Sequence, residues 1–397
     1  MLKRFTCTLC AAVMFALLSS VINSAVVLAQ VVDQETRAAL PFNQVPSSRL
    51  AHLRRGINLS HWFAQSPGND YSEKHLQTQT TTQDIALIKR MGFDHVRFTI
   101  NPDPLIDESD PTRLKPEYTR HLDAALDMLL AGGLSVIVDI HPSDEFKIRL
   151  RTDDRAVANF IGFWRALALH LSGRDPERVL LEIINEPMAE DAYRWIGIQA
   201  RVAAAIREGA PRHTIIATGA RWSAVDQLLL LEPLADRNVI YAFHFYEPHT
   251  FTHQGATWGA DYWPYLKDIP YPSNPEIIAA LPAVEQQSAQ GALKQYGEER
   301  WNAEHIERVI AQAVEWGRKH NVPLVCDEFG VYRTFAPTTA RLRWIEDVRT
   351  ALERLGEAWA RLDDVGLCWR FWCRREERGR ATPHPQTIAA LGLQAAK

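Results

Sequence analysis

A (β/α)8 TIM barrel of α/β class, in a single domain, is the fold this 397-residue sequence predicts. Three observations carry that expectation. Short apolar runs alternate with longer amphipathic segments along most of the chain, which is the signature of repeated βα units. Eight such runs can be counted, the number that closes a barrel. No glycine-rich G-x-G-x-x-G turn follows the first run, so an open dinucleotide-binding sheet has no support.

The strands are expected at residues 55–59, 95–100, 134–140, 179–184, 214–217, 238–245, 323–327 and 365–372. Between them, residues 82–91, 116–131, 155–171, 191–208, 303–320 and 339–355 carry apolar side chains at helical spacing. Residues 246–300 are too long for an ordinary loop and rich in Pro, Gly, Trp and Tyr, so an ordered excursion over the barrel mouth is expected there, after strand 6. The block Arg374-Arg-Glu-Glu-Arg-Gly-Arg380 reads as a solvated loop. There is no internal repeat, low-complexity linker or appended module.

Residues 1–29 read as a signal peptide. Lys3 and Arg4 precede an apolar stretch, and Val27-Leu28-Ala29 offers small-residue cleavage after Ala29. The stretch is short for a membrane span and is interrupted by Ser19, Ser20, Asn23 and Ser24. The expected domain plan is therefore the leader, a flexible lead-in over residues 30–46, and a catalytic domain over residues 47–397. A secreted or periplasmic location follows, with no membrane partner once the leader is removed.

Lys and Arg number 44 against 48 Asp and Glu, a formal net charge of −4. That leaves no basic footprint for nucleic acid or an anionic membrane and points to a substrate with little charge. A monomer is expected. Cys7 and Cys10 leave with the leader, so Cys326, Cys368 and Cys373 remain. An odd count allows at most one internal disulfide. Cys326 and Cys368 could meet if strands 7 and 8 are neighbours, but buried small apolar residues are the preferred reading, and no metal site is expected from the cysteines.

Catalytic groups of such barrels gather at the C-terminal strand ends, where separate βα loops converge. Polar residues fall there repeatedly. Arg97 lies in the second strand, His141 closes the third, Asn185 and Glu186 follow the fourth, His244 and Tyr246 close the sixth, Glu328 the seventh and Trp372 the eighth. Glycoside cleavage needs one group to protonate the leaving oxygen and a carboxylate facing the anomeric carbon. Glu186 and Glu328 can supply both. Glu186 should then rest protonated and Glu328 ionised, with Arg97 holding Glu328 charged by ion pairing. Glu182 reads as structural, Glu190 as a helix-start carboxylate and Glu247 as a loop charge.

Asn185-Glu186-Pro187 and Glu328-Phe329-Gly330 resemble the Asn-Glu-Pro and Glu-Phe-Gly motifs of glycoside hydrolase family 5, the cellulase-like group, and the resemblance runs from about Arg54 to the end. It implies a retaining enzyme with Glu186 as acid/base and Glu328 as nucleophile. By the same match Arg97 supports the nucleophile, His141 and Asn185 hold the reacting sugar, His244 and Tyr246 flank Glu328, and Trp372 is a platform beneath the sugar. Two departures stand out. His141 is followed by Pro142-Ser143 in place of a His-rich loop, and strand 8 carries Arg370 and Cys373 in unusual places. Trp62 and Trp258 are further candidates for stacking on sugar faces.

The implied substrate is a β-linked polysaccharide or oligosaccharide, foremost a β-glucan cut in an endo-β-1,4 fashion. Arg55-Gly-Ile-Asn-Leu-Ser-His-Trp62 also resembles the first-strand motif of exo-β-1,3-glucanases in the same family, and mannan or another hemicellulose is third. No cofactor is needed, because carboxylates carry the reaction. Two competing classes have less support. A metal-dependent hydrolase using His61, Asp139, His141, His244 and Asp327 lacks a recognisable ligand frame. A glycan-binding protein that has lost turnover is disfavoured by the presence of both glutamates.

Overall fold

The computed structural model describes residues 44–107, 109–361, 373–375 and 381–394. Eight parallel strands close into a barrel: β1 (Arg55–Asn58), β2 (His95–Ile100), β3 (Ser135–Ile140), β4 (Val179–Glu182), β5 (Ile215–Thr218), β6 (Val239–Phe245), β7 (Leu324–Phe329) and β8 (Ala358–Arg361). Each strand pairs with its sequence neighbours, and β8 pairs with β1 to complete the ring. The helices that return the chain are α1 (Thr82–Met91), α2 (Pro116–Ala131), α3 (Asp154–Leu171), α4 (Ala192–Gly209), α5 (Val225–Leu228), α6 (Ala303–His320) and α7 (Thr338–Leu355), and α8 (Pro385–Ala390) comes last.

Local chemistry explains the helix ends. Thr81 and Asp84 form a capping box at the start of α1, and Gly92 ends it in the left-handed region at φ 100°. Asp153 and Asp191 cap α3 and α4, and Asn302 caps α6. At the end of α4 a Cβ on Gly209 would sit 2.7 Å from the backbone N of Leu169, so only glycine lets α3 and α4 approach this closely.

Side-chain alternation sorts each strand into two layers. Outward residues such as Val136, Val138, Leu181, Tyr241, Phe243 and Cys326 join the helices in the main core. Inward residues Ile137, Leu180, Ile216, Ile240 and Val325 fill the lower barrel with Leu53 and Val45. Two residues further along, the inward positions of β3, β4 and β7 become Asp139, Glu182 and Asp327, all buried. The interior thus changes from hydrocarbon to carboxyl within one layer, directly beneath the mouth.

Two expectations are corrected. The eighth barrel position is taken by Ala358–Arg361, shortly after the Gly356 cap of α7, whereas the longer apolar run 365–372 is the stronger strand signal and lies outside the described residues. The basic block at 374–380 is not wholly loop, since Cys373–Arg375 pairs antiparallel with Ala381–Pro383. The excursion after β6 is ordered, containing helices His249–Thr252, Pro275–Ala279 and Gln287–Glu299. It is tied to the β7 loop by Tyr332 N–H donating to Thr252 O at 2.8 Å and Asp268 N–H donating to Phe335 O at 3.1 Å.

Candidate active site

Arg97 organises the floor of the mouth. Fully buried, it donates to Glu182 through Nε at 2.8 Å and Nη2 at 2.6 Å, to Glu328 Oε1 through Nη1 at 2.6 Å, and to Asn58 Oδ1 at 3.0 Å and Asn185 Oδ1 at 3.1 Å. Asp139 at 3.1 Å and Asp327 at 3.7 Å complete its ring of carboxyls. Burial works against the guanidinium's charge, but Asp139, Glu182 and Glu328 more than reverse that and hold its pKa well above the ordinary value. Burial raises Asp139 and Glu182 to about 7 despite Arg97.

Glu328 ends β7 and Glu186 lies just beyond β4. Glu328 Oε2 accepts from the Tyr246 hydroxyl at 2.8 Å. Glu186 sits in a left-handed backbone conformation at φ 46°, which costs about 1–3 kcal/mol for a residue with a Cβ and is held by its neighbours. Asn185 N–H donates to Ile140 O at 2.8 Å, and Pro187 O accepts from Trp222 N–H at 3.0 Å. Between the two glutamates stands His244, with Nδ1 2.9 Å from Glu186 Oε1 and 3.3 Å from Glu328 Oε2. One oxygen from each carboxyl and a ring nitrogen of His244 all lie within 4.8 Å of one another. The same three atoms could hold a metal ion by spacing alone, but the His244–Glu186 hydrogen bond and the His244–Glu328 ion pair already account for the closeness.

Burial and charge shift Glu186 and His244 in opposite directions. Burial raises the Glu186 carboxyl, but the hydrogen bond and charge of His244, with Lys147 and His141, outweigh it and bring the group down to about 2. Burial lowers His244, yet Glu328, Glu186 and Asp327 raise it to about 9. The Glu186 side chain is 26 % exposed, so the penalty on its charge is incomplete. In the ligand-free site both shifts favour the proton on His244 over Glu186. His141 is pushed down to about 3, chiefly by burial, and so donates Nδ1–H to Asp139 Oδ2 at 2.9 Å as a neutral ring.

Arg97, His141, Asn185, Glu186, His244, Tyr246 and Glu328 thus come together as the sequence implied. Trp62 does not. It is 1 % exposed, donates Nε1–H to Leu76 O at 2.7 Å and packs on Phe63 and Phe98, so it belongs to the core and is no substrate contact. Trp258 is 37 % exposed and packs edge-on against Tyr332 in the β7 loop. Trp372 and Cys368 lie outside the described residues, and Cys326 is a buried free thiol. His61 turns its Nδ1 to Gln65 O at 2.5 Å. What the sequence reading missed is the carboxyl floor of Asp139, Glu182 and Asp327 around one guanidinium. An acid at the inward position just below each strand end was its signal. Trp222 is a further exposed aromatic, 49 % exposed, with its backbone N–H bonded to Pro187 O beside Glu186.

A parallel (β/α)8 barrel whose mouth sets two glutamates on opposed strands around a histidine has the architecture of a glycoside hydrolase. The family model for cellulase (glycosyl hydrolase family 5) matches residues 57–373, and the chain belongs to that family. Endoglucanase C of Acetivibrio thermocellus is 28 % identical over 329 residues, covering 81 % of this chain and 92 % of the relative. Cellodextrinase A of Ruminococcus flavefaciens is 25 % identical over 311 residues, 76 % of this chain and 82 % of the relative. Among solved structures, endoglucanase Cel5A of Thermotoga maritima superposes with a TM-score of 0.68 at 23 % identity, covering 87 % of this chain and 99 % of that one.

Proposed function

We propose that this chain is a retaining endo-β-1,4-glucanase, exported by its N-terminal leader and acting as a monomer on β-linked glucan. The observation that carries the mechanism is the separation of the two glutamates. Their facing oxygens lie within 4.8 Å, matching the gap of about 5–5.5 Å used for retention and too narrow for the water that inversion places between carboxyls about 6.5–9.5 Å apart. The endoglucanase and cellodextrinase relatives support β-glucan as the substrate.

In this reading Glu328 attacks the anomeric carbon while Glu186 protonates the departing glycosidic oxygen. The bond to that oxygen breaks and a glycosyl ester forms on Glu328. Water then enters, Glu186 takes its proton, and the ester is released with the original configuration. Arg97 and Tyr246 orient the nucleophile from opposite oxygens. His244 stores the proton that Glu186 must donate, one hydrogen bond away. Substrate, by excluding water from Glu186, raises the price of its charge and draws that proton across. Asn185 and neutral His141 are assigned to the reacting sugar and, by the family motif, Trp372 to its platform, while the exposed Trp258 and Trp222 are candidates for stacking on further sugar units.

Proton NMR of the first sugar released from an aryl β-cellobioside tests the mechanism. The β-anomer must appear first, and initial α-anomer would end the retaining reading. Product profiles on cello-, laminari- and manno-oligosaccharides test the substrate. N-terminal sequencing of exported protein should begin at Gln30.

A further inference from the structure

Asp327 is the buried group at the site to which the chemistry above gives no task. It directly precedes Glu328, and neither of its carboxyl oxygens has a hydrogen-bond partner among the described residues. An unsatisfied buried carboxyl is expensive, and a specific backbone device puts it there. Phe243 pairs with Cys326 while the next residue, His244, pairs with Glu328, so β7 bulges by one residue at Asp327. Asp327 and Glu328 therefore both face the barrel interior, where a regular strand would send one of them into the helix layer. The bulge delivers Asp327 to the back of the imidazole, with Oδ1 3.4 Å from His244 Nε2. Nδ1, on the opposite side, faces Glu186 and Glu328.

We propose that Asp327 is a positioning residue acting through His244: standing behind the ring, it keeps Nδ1–H directed at Glu186 and retains the proton on the ring until Glu186 takes it. This rests on the reading of Glu186 as acid/base. The proton passes from Nδ1 to Glu186 and on to the glycosidic oxygen, and the proton Glu186 later takes from water restores the ring. Asp327 makes and breaks no covalent bond. The groups facing the pair are Arg97 from β2, Asp139 from β3, Glu182 and Glu186 from the β4 end, Tyr246 from the β6 end and Glu328 from β7. Four carboxyls lie within 3.7 Å of the one guanidinium, and as pH rises through the values of Asp139, Glu182 and Asp327 a cationic His244 becomes the second positive charge facing them. Burial, with Glu182 adding to it, raises Asp327 to about 8 against the pull of Arg97 and His244. Its charge consequently develops on the alkaline side, where His244 would otherwise release its proton.

The test compares wild type with Asp327→Asn, which keeps the shape and removes the charge. Two quantities are read: the alkaline limb of kcat/KM on an aryl β-cellobioside, and the His244 titration followed by NMR in histidine-labelled, substrate-free protein. Both should move to lower pH by about one unit, a tenfold loss of proton affinity, with kcat falling more than KM changes. A fall in kcat with both midpoints unmoved would mean a merely structural role and overturns the proposal. If Asp327→Asn does not fold, Asp327→Ser is read in the same way. Should neither fold, the wild-type His244 midpoint decides, since a value at or below the ordinary imidazole value of about 6.5 overturns the proposal and a higher one supports it. Wild-type turnover is measured first, so that absence of any hydrolysis, which defeats the glycosidase reading, is distinguishable from failure of this one.

Discussion

Glu186 Oε1 and His244 Nδ1 are 2.9 Å apart, and the pair holds one proton between two groups whose affinities have been driven in opposite directions. The histidine, fully enclosed by acids, has become the stronger base. The glutamate, open to solvent on one side, has become the stronger acid. A general acid must surrender a proton readily, yet it must hold one when substrate arrives. Placing that proton on a neighbour at hydrogen-bond distance meets both demands, because only a short transfer separates the resting state from the reactive one.

Removing Glu186, the proposed acid, should therefore have an effect that depends on the leaving group. Glu186→Ala is expected to lower kcat on cello-oligosaccharides by about 10²–10⁴-fold, the usual contribution of general acid catalysis. Aryl glycosides with activated leaving groups, which need little protonation, should form the glycosyl ester nearly as fast as in wild type. Pre-steady-state kinetics on the two substrate types checks this. Equal losses on both would remove the acid role from Glu186.

Arg97 should be the most destabilising single replacement at the site. It is the hub for Glu182, Asp139, Asp327 and Glu328, all at 3 % exposure or less. Taking away one partner of such a buried network leaves uncompensated charge and costs about 3–5 kcal/mol. Arg97→Lys should recover little, because an ammonium cannot make the paired Nε and Nη2 contacts to Glu182. Urea denaturation at neutral pH reads the loss, and a change below about 1 kcal/mol would contradict the network.

Trp62 offers a sharp separation of core from cleft. Trp62→Phe keeps a ring against Phe63 and Phe98 but leaves Leu76 O without its indole donor. A loss of about 1–3 kcal/mol of stability is expected from the unsatisfied carbonyl, with KM for cello-oligosaccharides unchanged. A raised KM at undiminished stability would return Trp62 to the substrate.

These residues also show what the sequence could disclose. Strand and helix positions were legible because apolar runs and helical spacing are local properties. Predicted helices at 82–91, 116–131 and 303–320 match α1, α2 and α6 end to end. The meeting of Glu186 and Glu328 was legible because their motifs sit at strand ends. Trp62 was misjudged because an aromatic following a first-strand motif reads alike whether it points to the cleft or to the core. The β8 assignment failed because a four-residue strand gives less signal than the longer apolar run after it. The β7 bulge and the resting position of the acid's proton were hidden for a deeper reason. Both depend on which groups from β4, β6 and β7 face one another, and no single stretch of sequence contains that information.

The buried site should also make stability fall as pH rises across an unusually wide range. His244 goes from an unfolded value of 6.5 to about 9 when folded. A raised folded value means that the native state binds the proton more tightly, so this stabilisation is complete below about 6.5 and is lost as pH passes through about 9. Asp139 and Glu182 at about 7, and Asp327 at about 8, are likewise raised above 3.8, 4.5 and 3.8, and the same sign applies. Their contribution is present below about 4 and disappears by about 8. Glu186, lowered to about 2, works in the other sense, stabilising above about 4.5 and losing that stabilisation only as pH falls through about 2. The Tm of ligand-free protein should therefore be highest on the mildly acidic side and decline steadily from about pH 5 to pH 9. Replacing His244 by Asn removes the component centred between about 6.5 and 9, so the variant's decline should be shallower in that window. Calorimetry across the pH series measures both curves, and a Tm maximum above pH 8 in wild type would contradict the proposed charge arrangement around Arg97 and His244.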